Sequence, residues 1–127
     1  MSRYTDYYGI TTFTIKKGKE RDFQEFMDKY EFNEHLLHLE APQGLTGMWK
    51  VRFGTEDFTN SINHFHPDEQ FDWFCELSSM VMEEIDLICL DEEFPILNTA
   101  GFAYHLYCNR GVCQLIDLKL TKAQEED

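Results

Sequence analysis

Apolar positions along this chain recur in two rhythms, every second residue in some stretches and every third or fourth in others, and the changes of rhythm mark the elements. Residues 7–15, Tyr-Tyr-Gly-Ile-Thr-Thr-Phe-Thr-Ile, are rich in β-branched and aromatic side chains and predict a first strand. Lys16-Lys17-Gly18-Lys19 reads as a turn. Beyond it Phe23, Phe26, Met27, Tyr30 and Leu37 recur at helical spacing, which predicts a helix from about Lys19 to Leu39, ended by Pro42 and Gly44. Met48 to Phe53 alternates large and charged residues as a half-exposed strand does, and Gly54 closes it. Thr55 to Phe65 mixes Asn60, Ser61 and Asn63 with Phe58, Ile62 and Phe65. It is read as mostly irregular, with room for one short strand.

Pro67 suits the first position of a helix, where its missing N–H has no role, and Asp68 and Glu69 suit the positive end of the macrodipole. Phe71, Phe74, Cys75, Val81, Met82, Ile85 and Ile88 then follow at three-and-four spacing and predict a long second helix. Its other side would present Glu69, Asp72, Glu76 and Glu83 as an acidic stripe, with Trp73 exposed among them. Asp91-Glu92-Glu93 with Pro95 reads as a charged connector. Strict alternation over Phe102–Cys108 and Val112–Leu120, around Asn109-Arg110-Gly111, is a hairpin signal that sets Cys108 opposite Cys113 and Leu106 opposite Leu115. The order β-α-β-α-β-β predicts an α+β class: a single-domain two-layer sandwich over residues 1–120. An antiparallel or mixed sheet of about four strands would carry two helices on one face, with an acidic flexible tail at 121–127.

Charge changes this picture more than composition does. The 127 residues carry a formal net charge of −13, with 43% hydrophobic and 15% aromatic residues, too many for a disordered acidic segment. Between Arg52 and Arg110 there is no lysine or arginine, while the same stretch holds twelve acids. A block of one sign repels itself and opposes the compact state, so it points to something outside the chain that is attracted by it. Nucleic acid and anionic membrane surfaces would be repelled, and no apolar run reaches the length of a spanning helix. The first residues lack a signal-peptide core, so a cytoplasmic location is expected, with Cys75, Cys89, Cys108 and Cys113 as reduced thiols.

Candidate chemistry is sparse. Asn63-His64-Phe65-His66-Pro67-Asp68-Glu69 resembles the His-x-His-x-Asp-His run of binuclear zinc hydrolases, with Glu69 where that run has its third histidine. His64, His66 and Asp68 are therefore the candidate metal ligands. His35 and His38, three apart on the first predicted helix, would share one side of it. Cys108 and Cys113 could bridge if oxidised, yet no basic neighbour marks either as a nucleophile. Glycine-rich phosphate loops are absent, and no pair of acids stands out for catalysis; no cofactor and no catalytic residue is expected.

These readings favour a small, non-enzymatic inhibitor whose acids dock on a basic protein or nucleic-acid-binding complex. Candidate contact residues are Glu69, Asp72, Trp73, Glu76, Glu83, Asp91, Glu92 and Glu93. In charge and size the chain resembles phage and plasmid inhibitors of host defence, of anti-CRISPR or anti-restriction type, in which carboxylates imitate phosphates. An immunity protein or antitoxin against a basic nuclease shares the same physics. A metal-dependent enzyme using His64, His66 and Asp68 is the alternative from another class, and a homodimer burying the exposed aromatics is a further option.

Overall fold

The computed structural model describes residues 4–42, 47–55, 59–91 and 103–118. Among these residues eight strands and three helices follow one another as β1 (Tyr4–Gly9), β2 (Thr12–Thr14), α1 (Glu20–Lys29), α2 (Asn33–Leu36), β3 (Leu37–Glu40), β4 (Lys50–Phe53), β5 (Ser61–Asn63), α3 (Phe71–Met80), β6 (Ile85–Asp91), β7 (Ala103–Asn109) and β8 (Val112–Leu118). All pairings are antiparallel, in a five-stranded sheet ordered β5-β1-β6-β7-β8 and a three-stranded sheet ordered β2-β4-β3. The α+β class is as expected. The four-strand, two-helix sandwich is not: twice that number of strands, in two sheets, accompany three helices. The tail at 121–127 lies outside the described residues.

Two stretches account for most of the difference. The expected first strand is broken at Ile10-Thr11, so β1 enters the large sheet and β2 the small one. Across from it, Val81 bridges Ile15, Met82 donates its N–H to the Thr14 carbonyl at 2.8 Å, and Lys16 donates to the Met80 carbonyl at 2.8 Å. These bonds end α3 at Met80 and turn the chain into β6, which lies between β1 and β7. The expected first helix likewise stops at Lys29, because Tyr30 is extended and Leu37–Glu40 pairs with β4.

One buried cluster draws on both sheets and all three helices. Its centre is aromatic: Phe65 packs edge-on against Trp73 with ring centroids 4.9 Å apart, and Phe53 lies 5.2 Å from Tyr7, also edge-on. The Tyr7 hydroxyl donates to the Phe65 carbonyl, and burial holds that phenol well above its usual pKa. This bond fixes the irregular segment before α3 to the sheet.

The β7–β8 hairpin has the expected register, Cys108 facing Cys113 and Leu106 facing Leu115. Arg110 and Gly111 both take positive φ, 54° and 84°, as the two central residues of a tight hairpin turn require. The Gly111 N–H donates to the Ser78 hydroxyl at 2.9 Å, which docks the turn on α3. Cys108 and Cys113 form a disulfide, in place of the free thiols expected from the sequence. The bridge spans a sequence separation of only five residues, so a small entropic contribution is expected. Reduction should lower the unfolding free energy by roughly 2 kcal/mol, read from urea titrations with and without dithiothreitol. A loss above roughly 4 kcal/mol would show that the bridge, and not the turn, holds the hairpin.

Candidate functional site

The expected acidic stripe is largely taken apart by the fold. Glu83 lies beyond the end of α3 and turns to β2, where its carboxylate accepts from the Thr14 N–H at 2.6 Å and the Thr14 hydroxyl at 2.7 Å. Glu76 is neutralised by Lys29 of α1 at 3.0 Å and accepts a hydrogen bond from Tyr30. That bond to Glu76 holds the Lys29 ammonium above its ordinary pKa. Trp73 is not an exposed anchor but a core residue, 1% exposed, whose indole N–H donates to Asn33 Oδ1 at 2.7 Å. Asp91 pairs with Thr5 across β1 and β6, and Glu92 and Glu93 lie outside the described residues.

What remains on the surface is a smaller group. Asp68, Glu69 and Asp72 are exposed at the entry to α3. Of these, Asp68 lines a groove of about 810 Å³, together with Phe71, Tyr104 of β7, and five consecutive residues of β8, Cys113 to Asp117. It holds two carboxylates, Asp68 and Asp117, and among the described residues no lysine or arginine lines it. Sequence reasoning missed Asp117 because it is the only charge in its strand and lies beyond the acid-rich block.

One wall of this groove is a sheet edge. β8 is the last strand of the five-stranded sheet, so among the described residues its far side has no strand partner. The Cys108 and Cys113 Cα atoms are 3.9 Å apart, the close spacing of a pair that does not exchange backbone hydrogen bonds. By alternation Cys113, Leu115 and Asp117 therefore turn their N–H and C=O groups away from β7. The Cys113 backbone already bonds the Cys75 thiol. Leu115 and Asp117 face the groove.

The histidines separate. His66 packs edge-on against Tyr104, centroids 4.9 Å apart, and its Nδ1 accepts from the Asp68 N–H at 3.1 Å. His64 is exposed with φ 58°. His38, on β3, lies 3.2 Å from the Gly54 carbonyl, while His35 sits on α2. The fold instead brings His35 and His64 to one cleft of about 800 Å³, with Phe32, Leu36 and Ile62. Among the described residues no group of three or more His, Cys, Asp and Glu side chains is placed to hold a metal ion.

Neither free thiol is activated. Burial pushes Cys89 up to about 12 and also raises Cys75, so both are protonated at neutral pH. His105 pairs with Asp86 at 2.7 Å on the other side of the sheet from the core-facing Cys108. No helix among the described residues is long and apolar enough to cross a membrane. Comparison with protein-family models, curated proteins and solved structures finds no match to this chain.

Proposed function

We propose that this chain is a small, non-enzymatic binding protein that docks a basic protein surface on its acidic groove and blocks it, imitating the phosphates that the surface otherwise holds. The observation that carries this reading is the pairing of Asp68 and Asp117 in a groove that has no cation in its lining among the described residues, with Glu69 and Asp72 exposed nearby in the sequence at the entry to α3. An acidic surface of this kind raises encounter rates with a basic partner and is screened by salt. Glu76 and Glu83 take no part, because their carboxylates are already engaged within the chain.

The test is capture from a cell lysate on immobilised protein, eluted with a salt gradient and repeated with duplex DNA as competitor. A basic complex released at moderate salt and displaced by DNA supports the reading. The double substitution Glu69→Lys with Asp72→Lys should then slow association roughly tenfold and change dissociation little. Retention that strengthens with salt, or indifference to the charge reversal, would sink it.

A further inference from the structure

Resting on that reading, we infer that the element of the partner which enters the groove is an extended strand. It adds to the free edge of β8 and carries lysine or arginine at alternate positions. The groove runs along five consecutive β8 residues, so its long dimension follows a strand and not a helix. Leu115 and Asp117 offer their backbone N–H and C=O groups along that wall, spaced as a sixth antiparallel strand requires.

Among the described residues the edge is also unprotected. Natural sheets guard a long outer strand with lysines, prolines or bulges, because an open ladder pairs with other chains. β8 is seven residues long, regular in its pairing from Val112 to Leu118, and its one charge is Asp117. The opposite edge strand, β5, has only three residues. A strand added at β8 would place alternate side chains on the two faces of the sheet. Those on the α3 side would meet Asp68, Phe71 and Asp117, which suits a basic side chain with an aliphatic stem. Those on the other side would continue the cross-strand row Tyr8-Ile88-His105-Ile116, in which Ile88 is 38% and Ile116 47% exposed, which suits valine or isoleucine.

Charge decides between a partner strand and a second copy. Pairing two β8 edges would bring two sets of Asp68 and Asp117 together, between molecules that each carry a net charge of −13. A basic strand neutralises the same residues.

The test uses two capped octapeptides of equal composition, one alternating lysine with valine and one with four lysines followed by four valines, titrated against the intact protein. The alternating peptide should bind roughly tenfold more tightly, about the worth of one or two well-made backbone hydrogen bonds, with amide shifts centred on Leu115 and Asp117. Asp117→Pro, which removes an outward N–H without touching the β7 ladder, should lose that advantage. Asp117→Asn, which keeps the N–H, should retain it and lose only part of the salt dependence. Circular dichroism checks that both variants fold.

Equal affinity for the two peptides, or full preference retained by Asp117→Pro, would overturn the strand inference. The acidic-docking reading would survive that result if both peptides still bound through Asp68 and Asp72. Self-association abolished by Asp117→Pro and strengthened by salt would overturn the inference in favour of a second copy.

Discussion

Trp73→Ala should lower the unfolding free energy by about 4 kcal/mol, a large share of what a domain of this size has. The indole sits among Phe26, Phe53, Phe65 and Phe74, with ring centroids between 4.9 and 5.7 Å away. Truncation would leave a cavity that a cluster of rigid rings cannot collapse to fill. It would also orphan a buried acceptor, because Asn33, 0% exposed, receives the indole N–H and donates its own amide to the Phe26 carbonyl at 2.8 Å. Trp73→Phe keeps most of the volume but still leaves Asn33 Oδ1 unpaired, so it should cost about 2 kcal/mol. Urea denaturation followed by circular dichroism measures both. A loss below about 0.5 kcal/mol for Trp73→Ala is what a surface position would show, and would contradict the buried placement.

The second large effect lies in the backbone. Gly9→Ala should cost about 3 kcal/mol, more than its one added methyl suggests. Gly9 has φ 143°, where residues with a Cβ are strained, and that Cβ would lie 2.6 Å from the Asp86 carbonyl oxygen, which is main chain and cannot swing aside. Gly9 ends β1 opposite Leu87, just before the chain turns out of the large sheet into the small one. Gly18→Ala is the control: its φ of 92° carries strain, but nothing lies within 4 Å of the added atom, so it should cost about 1 kcal/mol. Equal thermal shifts for the two variants would remove the steric argument.

How much of this could be read from the sequence depended on whether the deciding interactions were local. The hairpin was legible to the residue, since Asn109-Arg110-Gly111 sets the turn and the turn sets the register. The second helix was legible in its middle and at neither end: Pro67 was read as its first residue, yet 67–70 form turns and α3 begins at Phe71 and stops at Met80. Val81, Met82, Ile85 and Ile88 fit a helical stripe, yet Ile85, Leu87 and Cys89 fit a strand equally well, and all three of these are buried while Met82 and Ile88 are exposed. The choice is made by β1 and β7 on either side of β6, which no local rhythm records. Trp73 was misread for a related reason. α3 is packed both on the sheet and on α1, so its buried arc includes Trp73, Phe74, Leu77 and Met80, wider than a one-sided stripe.

The candidate site divides along the same line. Asp68, Glu69 and Asp72 were visible as an acidic run, because like charges close in sequence stay close in space. That Glu76 would be met by Lys29, and that Asp117 would join the groove, depended on contacts between elements far apart in the chain. The edge of β8 was invisible to composition, since an unpaired strand differs from a paired one only by its neighbours.

The position of β1 sets the order in which the molecule can be assembled. It is synthesised before the other described strands, yet both of its partners come much later, with Tyr8 meeting Ile88 and Thr5 meeting Ile62. The β7–β8 hairpin and α1 can form from their own residues, but the middle of the large sheet must wait for the whole of residues 61–91. Until then β1, with Tyr4, Tyr7 and Tyr8, is an unpaired segment carrying one charge, Asp6. Synthesis from the N-terminus therefore leaves β1 waiting for residues 61–91, and the β7–β8 side of the sheet follows later still, so folding proceeds as a late, long-range closure.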